Sequence, residues 1–168
     1  SDYRIAELAV AGGYVGIAPI PGRLGAYAAD LNVILRWGAN MVLTMTPMAE
    51  LQHAGAETLG EDLAAASVDW RHIPIGDFGV PEDKLTHRWD TASQKALEIL
   101  GQGGRVFTHC YGGCGRAGMA ALRLMVEAGE AAEPALVRLR QTRPCAVQTE
   151  AQFTWAASPG PTKPGWQA

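Results

Sequence analysis

Apolar residues fall along this chain in two rhythms. Short β-like runs occur at "RIAELAV", "YVGIA", "NMVLTMT" (Asn40 to Thr46), "VDWRHIPI" (Val68 to Ile75) and "GRVFTH" (Gly104 to His109), each bounded by turn residues. Between the second and third lies "LGAYAADLNVILRWGAN", where Leu24, Tyr27, Leu31, Ile34 and Leu35 recur at helical spacing and Gly38 supplies a stop. A second helical stretch, "EDKLTHRWDTASQKALEILGQGG", follows Pro81 with Leu85, Trp89, Ala92, Ala96 and Leu100 as its inner stripe. Further helices are predicted from about Ala117 to Ala128, Glu133 to Gln141 and Thr149 to Ala157. Strands alternating with helices predict an α/β fold with a central, mostly parallel sheet flanked by helices on both faces. In such sheets ligands bind at the carboxyl ends of the strands.

Length narrows this to one cored unit, because 168 residues with 48% apolar content leave little room for two. The expected domain is 1–157, with 158–168 ("SPGPTKPGWQA") a flexible tail and Trp166 unanchored rather than docked on a surface. A net charge of −3 gives no broad attraction for nucleic acid or anionic lipid, so any anion site must be small and focused. The first residues show neither a basic leader nor a membrane span. Three cysteines do not form a disulfide framework; reduced thiols and a cytoplasmic setting are expected.

The chemistry concentrates in "RVFTHCYGGCGRAGMAALRLM". If "RVFTH" is a strand and "AGMAALRLMVEA" a helix, Cys110 to Arg116 is the turn at the sheet's mouth. Gly112, Gly113 and Gly115 can take positive φ without penalty, so successive amides can form an anion nest, with Tyr111 and Cys114 completing its wall. The helix that follows adds the positive end of its dipole. The same field stabilises a thiolate at Cys110, which becomes a nucleophile. Arg116 can return across the loop and fork two phosphate oxygens. Nucleophile on the floor, donors around the wall and a clamping guanidinium suit in-line attack on a phosphoryl group. The leaving oxygen needs a proton, and Asp77 in the loop "IPIGDFGVPED" is the candidate acid, with an Asx-turn role as its competitor. Glu82 and Asp83 sit where a helix start needs capping.

The segment "HCYGGCGRAG" resembles the signature of the cysteine-dependent protein tyrosine phosphatase superfamily, in the dual-specificity branch around kinase-associated phosphatase. "IAPIPG", "PIGDFGVP" and "RPCAVQTEAQF" extend the likeness along nearly the whole chain in the right order. The resemblance implies hydrolysis of phosphomonoesters, on tyrosine and on serine or threonine of proteins, through a phosphocysteine at Cys110. It makes Arg116 the phosphate clamp, Asp77 the acid and later the base, and His109 a support for the loop. Partners would be phosphorylated proteins or small phosphomonoesters, with no metal or cofactor, nucleic acid or membrane. Gln148 and Gln152 fall where some relatives position water; on their residue types alone they read as helix-surface or capping groups. Relatives usually carry Ser or Thr after the signature Arg, and this chain has Ala117. Cys114, four residues from Cys110, could form a protective disulfide with it under oxidation, or simply pack; Cys145 reads as packing. A rhodanese-like sulfurtransferase would explain neither the Asp77 loop nor the spacing to Arg116. A metal site at His109, Cys110 and Cys114 lacks a second ligand cluster, and a phosphopeptide-binding module would not need both Cys110 and Asp77.

Overall fold

A computed structural model describes residues 2–159 of the 168. Five strands form one sheet: β1 (Ala6–Val10), β2 (Gly13–Ala18), β3 (Met41–Thr44), β4 (Asp69–His72) and β5 (Arg105–His109). Their order is β1-β2-β5-β3-β4, antiparallel only between β1 and β2. The two-residue turn at Ala11–Gly12 makes that hairpin, and both residues have positive φ. The other neighbours are reached through helical crossovers, which a parallel pair requires.

Side chains alternate between two helical layers, as pleating dictates. Val15, Ile17, Met41, Leu43 and Val106 face α4 (Thr86–Gly101), α5 (Gly115–Glu127), α6 (Ala132–Thr142) and α7 (Glu150–Ala157). Ala18, Val42 and Phe107 face α1 (Tyr27–Trp37), α2 (Met48–His53) and α3 (Leu59–Ala65). The predicted stripe of α4, from Leu85 to Leu100, is buried throughout. Glu82 and Asp83 lead instead into a short 3-10 turn, Asp83–Leu85, and neither that turn nor α4 receives a side-chain cap. Glu82 lies 3.2 Å from Lys84, an exposed pair that competes with capping.

Two departures from the expected elements occur on the first layer. Leu24 is 86% exposed and outside α1, because the turn at 21–25 with Gly22 and Gly25 at positive φ delays the helix to Tyr27. The short helices α2 and α3 were not anticipated. They follow β3, separated by Gly55 at φ 74°. The expected tail falls largely at 160–168, outside the described residues, as does Trp166.

The register sets the site. Ala18, His109 and Thr44 lie side by side at the carboxyl ends of β2, β5 and β3, and Thr44 is level with His72 of β4. The loops after all four strands therefore open at one edge. Behind them α5 is anchored by a buried ionic knot: Arg123 Nε donates to Glu127 at 2.6 Å, Trp89 Nε1 of α4 donates to the same oxygen at 3.1 Å, and Arg123 donates to the Trp155 carbonyl of α7.

Candidate active site

Cys110 to Cys114 form the loop between β5 and α5, and every carbonyl in it is engaged from behind. His109 Nδ1 meets the Cys110 carbonyl at 3.0 Å. Ile20 N donates to Tyr111 at 3.0 Å. Arg143 reaches the Gly112 and Gly113 carbonyls through Nη2 and Nε at 3.0 and 2.9 Å. Gly118 and Val147 amides donate to Cys114. In a planar trans peptide the N–H points opposite to the C=O. Carbonyls held outward thus turn the amides of Tyr111 to Gly115 toward the hollow of the loop, making an anion nest at the start of α5. Gly113 has φ 74°, and a Cβ there would lie 2.6 Å from the Ala18 and Pro19 backbone, so only glycine fits.

The hollow belongs to a cavity of about 300 Å³ that Cys110, Arg116 and Asp77 all line. Tyr111, Gly112, Cys114 and Gly115 border it too, whereas Gly113 is turned to the β2 end. Cys110 is a free, buried thiol. Arg116 is 2% exposed. Its Nη1 and Nη2 each lie 2.9 Å from a different oxygen of Glu50, and Nη1 also donates to the Ile75 carbonyl at 2.8 Å. Burial pushes the Arg116 pKa down, but the Glu50 hydrogen bonds, the nearby Cys110 and the carboxylates of Glu50 and Asp77 push harder, and the net shift is upward. Its Nε has no partner among the described residues, a buried donor left over at the cavity.

Asp77 stands at the rim, 61% exposed at its side chain, with Oδ1 3.4 Å from Arg116 Nη2. The same oxygen accepts from the Phe78 amide at 3.0 Å, so the local turn bond and the cavity position coexist. Phe78, at φ 61° and 59% exposed, forms the lip of the opening. The Arg23 guanidinium lies over the Tyr111 ring, 5.5 Å from its centroid, and the His53 ring is tilted against it at 6.2 Å, so the Tyr111 ring forms part of the cavity wall.

Several expectations need correction. The three thiols are not all reduced: Cys114 and Cys145 are bonded, with Cα atoms 5.1 Å apart. The fold brings the two loops together across a separation that spacing in sequence does not encode, so Cys145 is a covalent tie rather than packing, and Cys114 is committed to it rather than to Cys110. Gln152 is not a surface group. It is fully buried, accepting from the Gln148 amide at 2.8 Å and donating to the Gly79 carbonyl of the acid loop at 3.2 Å. Gln148 does border the cavity. Glu50 was missed. Pro47 followed by an acid in the next turn is a helix-start signal, yet nothing in the sequence pairs that acid with Arg116.

No protein-family model matches the sequence, and no curated protein matches it. Solved structures do. Kinase-associated phosphatase with its catalytic-site cysteine replaced by serine superposes with a TM-score of 0.80 at 20% identity, over 93% of each chain. Tk-PTP in its active form gives 0.69 at 25% identity, over 89% of this chain and 92% of that one. PTPMT1 in complex with PI(5)P gives 0.70 at 16%, over 90% and 92%. The chain has the dual-specificity phosphatase fold. Among its structural neighbours is kinase-associated phosphatase, the branch that the signature segment resembles.

Proposed function

We propose that this protein is a cysteine-dependent phosphatase hydrolysing phosphomonoesters, with residues 1–157 as its catalytic unit. What carries the reading is Arg116, a buried guanidinium with an unpartnered Nε, lining the same cavity as a free thiol. The amide nest and that guanidinium hold the three nonbridging oxygens of the phosphoryl group. Cys110 Sγ attacks phosphorus, the bond to the leaving oxygen breaks, and Asp77 delivers the proton that oxygen needs. Asp77 then accepts a proton from water, whose oxygen attacks phosphorus and expels the Cys110 thiolate as inorganic phosphate forms.

The substrates in this reading are phosphorylated molecules: phosphotyrosine, phosphoserine or phosphothreonine in proteins, or small phosphomonoesters. One neighbour holds PI(5)P, which adds phosphoinositides to the class to be tried. No helix among the described residues is long and apolar enough to cross a membrane. A cytoplasmic setting loses the support of reduced thiols once Cys114 and Cys145 are bonded. The test is a panel of phosphopeptides and phosphoinositides assayed with the wild type, Cys110→Ser and Asp77→Asn. Turnover should vanish in the first variant and nearly vanish on alkyl phosphates in the second. Undiminished turnover in Cys110→Ser would end the proposal.

A further inference from the structure

His109 ends the central strand fully buried, with Nε2 2.8 Å from Thr44 Oγ1 and Nδ1 3.0 Å from the Cys110 carbonyl. A carbonyl can only accept, so Nδ1 carries the ring proton. The ring is neutral, because burial pushes its pKa down to about 4; the Cys110 hydrogen bond raises it, and the charges of Arg116 and His72 lower it further. Neutral imidazole has one N–H, which leaves Nε2 as an acceptor and makes Thr44 the donor to it. A hydroxyl can rotate, but a third group fixes this one. Trp70 Nε1, which can only donate, lies 2.8 Å from the same oxygen. With Trp70 donating in, the Thr44 proton is directed to Nε2.

Three hydrogen bonds therefore run one way, from indole to hydroxyl to imidazole to the carbonyl of the nucleophile. The sheet supplies the register: Thr44 pairs with His109 across β3 and β5, and Trp70 sits opposite Val42 on β4. The indole is also wedged. It stacks on His72 at 5.2 Å, and a Cβ on Gly60 of α3 would come within 2.7 Å of it.

We propose that Trp70 and Thr44 are positioning residues that act through His109 to hold the first peptide of the anion-binding loop, so that the Tyr111 amide faces the bound anion. Its catalytic consequence rests on the phosphatase reading above, whereas the direction of the relay does not.

The experiment pairs a spectroscopic readout with kinetics. Protein labelled with 15N at histidine, studied by long-range proton–nitrogen correlation at pH 7, should show His109 neutral and protonated only at Nδ1. Trp70→Phe should leave Nδ1 protonated, since the Cys110 carbonyl still accepts from it, but free the Thr44 hydroxyl to turn, so that the Nε2 nitrogen shift moves toward that of an imidazole nitrogen accepting no hydrogen bond. Thr44→Val should lower kcat on an aryl phosphate about tenfold, with KM changed much less, the loss expected for one buried hydrogen bond. Thr44→Ser should restore both kcat and the hydrogen-bonded Nε2 shift. A wild-type His109 protonated at Nε2, a Trp70→Phe spectrum identical to wild type, or a Thr44→Val kcat equal to that of Thr44→Ser would overturn the relay. Should the wild type itself fail to cleave any aryl phosphate, the phosphatase reading falls and the tautomer spectra alone decide the relay.

Discussion

Glu50 grips Arg116 with both carboxylate oxygens, each 2.9 Å from a different terminal nitrogen. That grip spends one edge of the guanidinium on the protein and leaves Nε without a partner, while Nη2 also faces Asp77 Oδ1 at 3.4 Å. Glu50→Ala should therefore injure binding and fold together. We expect KM for an aryl phosphate to rise at least tenfold. Stability should fall by about 1.5–3 kcal/mol, as for a hydrogen bond to a charged group. Urea unfolding beside steady-state kinetics checks both, and an unchanged KM would mean that Arg116 is held in place without Glu50.

Ala117 is fully buried in the first turn of α5, at the position where the resemblance implies a Ser or Thr hydroxyl for the departing thiolate. Losing that hydrogen bond to charged sulfur slows its step by about ten- to a hundredfold. Breakdown of the phosphoenzyme should then limit turnover. Rapid mixing with an aryl phosphate should give a burst of phenol followed by a slow steady phase, and Ala117→Ser should quicken the steady phase. A trace linear from the start would contradict slow breakdown.

The Cys114–Cys145 bond closes a loop between residues 31 apart in sequence, and such a crosslink contributes about 2–4 kcal/mol. Dithiothreitol or Cys145→Ser should lower the melting temperature accordingly. Peptide mapping of the untreated protein should find Cys110 alone free. Peroxide should then oxidise Cys110 without joining it to Cys114, whereas protein reduced beforehand has a resolving thiol four residues away. A Cys110–Cys114 bridge in unreduced protein would refute the pairing.

His109 gives stability a pH dependence of definite sign. Its pKa falls from 6.5 in the unfolded chain to about 4 in the fold, so between those values the unfolded state binds more protons. The contribution is complete above about pH 6.5 and lost as pH falls toward 4, by about 3 kcal/mol in all. His72, also lowered chiefly by burial, acts in the same direction. Denaturant midpoints followed from pH 7 to 4 should drop more steeply for wild type than for His109→Gln. Parallel slopes would show that His109 does not titrate in this window.

Much of this architecture was legible in the chain. The inner strands β2, β3 and β5 announced themselves because strands buried on both faces read as nearly continuous apolar runs, the edge strands β1 and β4 because turn residues bound their short β-like runs, and α4 because its stripe from Leu85 to Leu100 keeps helical period over four turns. The helices α2 and α3 were not legible: six and seven residues are too few for periodicity to stand out from the loop between them. Glu50 was hidden with α2. The loop from Cys110 to Arg116 was conspicuous because glycine density and a following helix are local facts. What ties that loop down, the carbonyl contacts of Arg143 and the bond to Cys145, comes from a segment some thirty residues further on. Such long-range pairings carry no periodic trace.

Every residue of α5 except Val126 is buried, and the helix begins where the anion cradle ends. A rod so thoroughly enclosed has no room to tilt or slide. The exposed sides of the same cavity are the acid loop, with Asp77 and Phe78, and the turn that carries Arg23, so substitutions there can alter the mouth while the buried helix keeps the cradle fixed.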